Sequence, residues 1–150
     1  MSISDNPDQS VAYQIRGTFR AFETLLNRKL SDIDVSLAYF HVLRIQWPRN
    51  GLTQKLVAKK SFMTEGVASQ VIKGLEKDGL VVRKSDPDDA RIRRVCITPG
   101  GRLLRKKLIA LGMTVLEDAS LDLNPEHVSV VIEILNSLRS NLDEIIEKDN

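Results

Sequence analysis

At Asp78-Gly79 the chain changes its period. Upstream, Ala68, Val71, Ile72 and Leu75 fall at i, i+3, i+4 and i+7, which gathers apolar side chains on one face of a helix. Downstream, Leu80-Val81-Val82-Arg83-Lys84 is a run of strand formers, and Arg91 to Ile97 is a second, with β-branched Ile92, Val95 and Ile97. Between them Ser85 to Ala90, with Pro87 and three aspartates, reads as a loop. Gly79 suits the left-handed residue that follows a last helical turn. A helix that must stop there and give way to a hairpin leaves few folds open.

The residues before it narrow the choice. Asn50-Gly51 signals a turn, and Thr53 is placed to cap a short helix with Val57 and Ala58 inward and Lys55, Lys59 and Lys60 outward. Ser61 to Met63 form a turn. Thr64 then caps the longer helix, with Glu65 in its first turn set favourably against the helix dipole. Glu65, Gly66, Ser69, Gln70 and Lys73 remain on its exposed or flanking faces. Helix, turn, helix and hairpin predict a winged helix–turn–helix, a mainly α fold with a small β-hairpin wing.

Amphipathic helices flank this unit. Residues 1–7, polar and ending in Pro7, read as a disordered lead-in. From about Asp8 an apolar stripe of Val11, Ile15, Phe19, Phe22, Leu26 and Leu30 faces away from Arg16, Arg20, Glu23 and Arg28. Ser36 caps a second helix carrying Leu37, Phe40, Leu43 and Trp47, with Pro48 marking its end, and His41 within it reads as an ordinary histidine. Thr98-Pro99 opens another helix lined by Leu103, Leu104, Leu108, Leu111, Val115 and Leu116. Asn124-Pro125 opens the last, with Val128, Val131, Ile132, Leu135, Leu138, Leu142 and Ile145. At 150 residues the expectation is one domain whose outer helices finish their burial in a partner.

Charge is unevenly spread. Residues 49–107 hold 15 Lys and Arg against 6 Asp and Glu, whereas the rest of the chain holds 7 against 14. A positive surplus confined to one structured segment is the footprint of a polyanion binder. No apolar run is long enough to span a bilayer and no signal pattern opens the chain, so no membrane partner and a cytoplasmic location are expected. One cysteine, Cys96, and two distant histidines make neither a disulfide framework nor a metal cluster. With no nucleophile–base pair and no Gly-rich phosphate loop, catalytic residues, metal and cofactor are all expected to be none. The competing reading is a winged-helix protein–protein adaptor without sequence-specific DNA binding, which would have no use for a basic wing tip.

Gly51 to Arg102 resembles the DNA-binding half of the MarR (multiple antibiotic resistance-type) transcriptional regulators. The resemblance is carried by Leu52-Thr53-Gln54, Val57-Ala58 and Leu75-Glu76-Lys77-Asp78-Gly79-Leu80-Val81-Val82-Arg83. It continues through the wing, Asp86-Pro87-Asp88-Asp89-Ala90-Arg91, and Ile97-Thr98-Pro99-Gly100-Gly101-Arg102. It implies a homodimer, with residues 8–30 and 99–147 as dimerisation helices around a DNA-binding region at 34–98. Such a dimer, a repressor in function, would read a pseudo-palindromic operator in double-stranded DNA through recognition helices in successive major grooves. By position Arg91 is the wing-tip arginine that enters a minor groove, and Asp89 orients the wing by pairing with Arg83 or Arg91. Lys55, Lys73, Arg93, Arg94 and Arg102 are candidates for phosphate contacts, with Thr64 at the helix entry. Ser69, Gln70 and Glu65 are candidates for base readout; Gln70 bonds adenine in bidentate fashion, which points to an AT-rich site. Phe62 stands where the family carries a small residue, and Gly74 where a longer one is common.

The resemblance also implies a small-molecule effector, aromatic or anionic, bound between the dimerisation helices and the winged region. Tyr13, Arg16, Tyr39, His41 and Trp47 are its candidate contacts, with Arg16 as partner for a carboxylate. The family's thiol-sensing branch places its cysteine near the N-terminus. Here that region has none, and Cys96 reads as a structural thiol in the wing's return strand.

Overall fold

The structure is a computed structural model that describes Asp8 and residues 10–149; the expected lead-in at 1–7 lies outside the described residues. The elements run α1 (Val11–Ser31), α2 (Leu37–Leu43), β1 (Leu52–Thr53), α3 (Gln54–Lys60), α4 (Glu65–Lys77), β2 (Val81–Ser85), β3 (Arg93–Ile97), α5 (Pro99–Ala119) and α6 (Pro125–Lys148). The fold is mainly α with a small antiparallel sheet. The chain divides into two compact units, residues 1–116 and 117–150.

Most helix starts are fixed by side-chain caps. Ser36, Thr53 and Thr64 accept hydrogen bonds from the backbone N–H groups of Tyr39, Leu56 and Val67, satisfying donors that the first turn leaves orphaned. Thr98 accepts from Gly101 N–H at 3.0 Å and donates its own proton to the Gly79 carbonyl at 2.7 Å. That residue thus ties the start of α5 to the end of α4. Gly79 adopts φ +70, the left-handed geometry that closes the helix before β2.

Two boundaries differ from the sequence expectation. The second helix stops at Leu43, not at Pro48, so Trp47 lies beyond it. A proline ring clashes with the carbonyl four residues back, here Arg44, and also drives the preceding Trp47 out of helical geometry. The freed carbonyl of Ile45 is taken instead by Arg105 Nε at 3.1 Å. The hairpin is also a three-stranded sheet, ordered β1-β3-β2, with Leu52 opposite Val95 and Val81 opposite Ile97. The return strand begins at Arg93, which leaves Ile92 in the loop.

Within residues 1–116 one core collects Leu26 and Leu30 of α1, Phe40 and Leu43 of α2, Val57, Ile72 and Leu75 of α3 and α4, the inward sheet residues, and Leu108 and Val115 of α5. The first half of α1 does not join it: Val11, Ile15 and Phe19 are exposed. In residues 117–149, α6 has no buried residue, and Val131, Ile132, Leu135, Leu142 and Ile145 all face solvent. None of the described helices is long and apolar enough to cross a membrane.

Candidate nucleic-acid interface

With Ala68, Ile72 and Leu75 turned into the core, α4 presents Thr64, Glu65, Gln70 and Lys73 outward and Ser69 half-buried beside them. Glu65, Ser69 and Lys73 fall at steps of four and so form one row, with Gln70 in the adjoining one. Lys55, from the first turn of α3, shares a cleft of about 520 Å³ with Thr64 and Glu65. Val67, 50% exposed, stands on the same open face. Sequence reasoning passed over it because a valine beside a buried alanine reads as core.

The two glycines of α4 have different reasons. A Cβ on Gly66 would meet nothing within 4 Å, so its face is open. A Cβ on Gly74 would lie 2.5 Å from Tyr39 Oη. The tyrosine lies over this glycine and donates to Asp78 Oδ2 at 2.8 Å, joining α2 to the end of α4. Partial burial and the neighbouring carboxylate push the Tyr39 phenol up to about 12.

The wing tip is organised by Asp86, which the sequence reading did not single out among the three loop aspartates. Its side chain is buried, Oδ1 accepts from the N–H groups of Asp88 (2.8 Å) and Asp89 (3.1 Å), and Oδ2 accepts from Arg94 Nε. The bond from Arg94, then that from Asp88 N–H, holds this carboxyl below the usual carboxylate range. Arg94 also donates to the Gly51 carbonyl at 3.4 Å, bracing the wing against the turn before β1. Arg94, a candidate for a phosphate contact, thus has its guanidinium engaged by Asp86 and the Gly51 carbonyl. Gly51 itself is required, with φ +81 and the Val95 carbonyl packed where a side chain would stand.

Asp89 pairs with Arg91 rather than with Arg83. Its two oxygens accept from Arg91 Nε (3.1 Å) and Nη2 (3.2 Å), and Oδ1 also accepts the Arg91 N–H at 3.0 Å. These bonds hold the Asp89 carboxyl below its ordinary value. Arg83 instead pairs with Glu76 at 3.3 Å, fastening β2 to α4. Arg91 is thus aimed by Asp89 while its side chain stays 91% exposed at the tip. Arg93 is also exposed, on the return strand. Arg102 lies on α5 apart from this group, beside Trp47, Lys60 and Arg105.

The five candidate effector contacts do not converge. Tyr13 is 54% exposed and Arg16 is open to solvent. Tyr39 is engaged at Gly74, and His41 Nε2 pairs with Glu23 at 3.0 Å, its ring against Phe19 and Phe40. Trp47 lines a cavity of its own. A cavity of about 220 Å³ between α1, α2 and α5 is lined instead by Phe22, Phe40, Arg44, Ile109, Met113 and Leu116, together with Gly112. A Cβ on Gly112 would press within 3.1 Å of the Phe40 ring. A glycine inside a helix was the one available signal for this cavity. Cys96 is half-buried and points its Sγ at the Asn50 carbonyl, 3.6 Å away.

The sequence pattern of the MarR family matches residues 33–92, from the approach to α2 through the wing tip. That stretch carries the sequence pattern of the MarR family, and it contains the whole helix–turn–helix and the wing tip. An organic hydroperoxide resistance transcriptional regulator of Bacillus subtilis is 25% identical over 87 residues, a stretch covering 58% of this chain and 59% of that protein. The chain therefore spans less than two thirds of that relative's length. In fold it is similar to Rhodococcus jostii CouR, solved bound to p-coumaroyl-CoA, with a TM-score of 0.80, 22% identity, and coverage of 90% of this chain and 95% of CouR. It is similar also to Staphylococcus aureus MepR, solved in a complex with DNA, with a TM-score of 0.76, 22% identity, and coverage of 88% and 98%.

Proposed function

We propose that this protein is a MarR-type repressor that binds a pseudo-palindromic operator as a homodimer and is released by a small aromatic or anionic ligand. The observation that carries the reading is the wing tip. Asp89 holds an otherwise exposed Arg91 in a fixed direction, and a buried Asp86–Arg94 brace fixes the loop beneath it. An arginine aimed in advance loses less conformational entropy on entering a narrow minor groove, where negative potential is concentrated. In the major groove, Gln70 and Ser69 read base edges, Val67 contacts a thymine methyl, and Lys55, Lys73 and Arg93 contact phosphates. MepR, similar in fold, binds DNA.

The homodimer is supported by the apolar side chains exposed along α1 and along α6, since exposed apolar helix faces mark sites of protein–protein contact. The effector is placed in the cavity between α1, α2 and α5, where Phe22 and Phe40 supply aromatic walls and Arg44 the one charge. Those walls suit an aromatic ring bearing a single carboxylate.

Replacing Arg91 by alanine is expected to weaken operator binding by about 1–3 kcal/mol while leaving the fold unchanged. A mobility-shift titration with circular dichroism as control measures both. Unchanged affinity in a folded variant would refute the role given to the wing.

A further inference from the structure

Two consecutive aromatic residues of α2 each stand against a glycine of another helix. Tyr39 lies over Gly74 of α4, where a Cβ would come within 2.5 Å of its Oη and 3.3 Å of its ring. Its hydroxyl donates at 2.8 Å to Oδ2 of Asp78, the residue that caps the end of α4. Phe40 lies against Gly112 of α5, where a Cβ would come within 3.1 Å of its ring. Successive residues of a helix point about 100° apart, so one short helix reaches two others at once. Neither glycine has a positive φ, so backbone freedom does not call for it. Inside a helix each is destabilising relative to alanine, and each leaves room for a ring. Gly74 follows Val67 and Gln70 at i+7 and i+4, on the side of α4 that carries those two side chains. Tyr39 therefore bears on that side, apart from the face where Ala68, Ile72 and Leu75 pack into the core.

We propose that Tyr39 is a positioning residue for base readout: seated on Gly74 and Asp78, with Phe40 seated on Gly112, it makes α2 a strut that fixes the rotation of α4 against α5. The part concerning base readout rests on α4 being the DNA-reading helix, as proposed above; the strut itself does not. A bidentate contact from Gln70 and an apolar contact from Val67 hold only within a narrow range of helix rotation. Lys55 and Arg93 belong to α3 and β3, so their phosphate contacts do not turn with α4. Tyr39 therefore governs the choice of sequence more than it governs affinity for DNA at large.

Two measurements on the full chain test this, the first without DNA. In amide spectra, Gly112→Ala should move the Gly74 and Asp78 resonances, since an added Cβ presses on Phe40 and α2 carries the displacement across. The same substitution in a Tyr39→Ala background should leave both resonances where Tyr39→Ala alone puts them. Unmoved resonances in Gly112→Ala, or movement that persists without Tyr39, overturn the strut. The second measurement compares a duplex recovered by the wild-type chain from a random pool with an unrelated duplex of the same length, at one salt concentration. Tyr39→Phe keeps the ring and removes the bond to Asp78. It should weaken binding to the recovered duplex about tenfold and change binding to the unrelated one by no more than about twofold. Gly74→Ala should act alike, because an added Cβ displaces the tyrosine Oη; the displaced group is the end of a side chain, so the fold accommodates it. Equal losses on the two duplexes, as a folding defect gives, or no loss on either, overturn the positioning role. If the wild-type chain recovers no duplex, the DNA reading fails, and the amide measurement decides the strut on its own.

Discussion

In the winged unit, apolar side chains from α1 through α5 close on one another: Leu26, Leu43, Ile72, Val95 and Leu108 are almost wholly removed from solvent. Along α6 the same residue types recur at the same helical spacing, yet Val131, Ile132, Leu135 and Leu142 are open. The contrast lies in what each stripe finds opposite it. The winged unit completes its core within one chain, and α6 carries an apolar face open to solvent. In the proposed function, reading DNA and pairing two readers would then fall to different apolar faces, although both come from amphipathic helices.

The most severe test of that contrast is truncation on each side. Leu108→Ala should cost about 4 kcal/mol of unfolding free energy, since it empties a closed core, whereas Ile132→Ala should cost within about 0.5 kcal/mol when measured on the monomer. Equal losses in denaturant titrations would erase the distinction. Next in size is association. Val131→Glu with Leu135→Glu should raise the dimer dissociation constant about 100-fold, close to 3 kcal/mol, without unfolding the winged unit. Sedimentation measures the first effect and near-ultraviolet circular dichroism the second.

A smaller effect, opposite in sign, lies inside the winged unit. Phe62 sits in the helix–turn–helix turn at φ +56 with its side chain 77% exposed. Left-handed geometry penalises any residue with a Cβ, so Phe62→Gly should raise stability by about 1 kcal/mol. A loss of stability would mean that the phenyl ring makes a contact worth more than the strain.

Smallest is a local response to acid. Asp86 and Asp89 are held below the usual carboxylate range by Arg94 and Arg91, so the order they give the wing tip is complete above the ordinary carboxyl range. It is lost as pH falls through their lowered folded-state values. Amide resonances of Asp88, Asp89 and Arg91, whose N–H groups donate to these carboxylates, should therefore be constant near neutrality and shift only in strong acid. Movement of these amides near neutral pH would contradict the assignment.

Much of this was legible in the sequence where the cause is local. The caps at Ser36, Thr53, Thr64, Thr98 and Asn124 act over two or three residues, and Gly79 ends α4 through its own φ. What escaped depends on distant partners. β1 is two residues long and exists only by pairing with β3. α2 ends where it does partly because Arg105 takes the Ile45 carbonyl. Asp86 and Asp89 look alike in the loop, and only Arg94 reaching back makes one a buried brace and leaves the other to aim Arg91. The five effector candidates lie apart for a related reason, since a cavity between three helices is lined by whichever faces meet there.

The central proposal is that two winged units are paired to read one inverted repeat, and selection of bound sequences from a random duplex pool tests it most directly. The account predicts enrichment of two half-sites in inverted orientation, with centres about one helical turn apart. Enrichment of a single unrepeated half-site, or of no sequence at all, would contradict it.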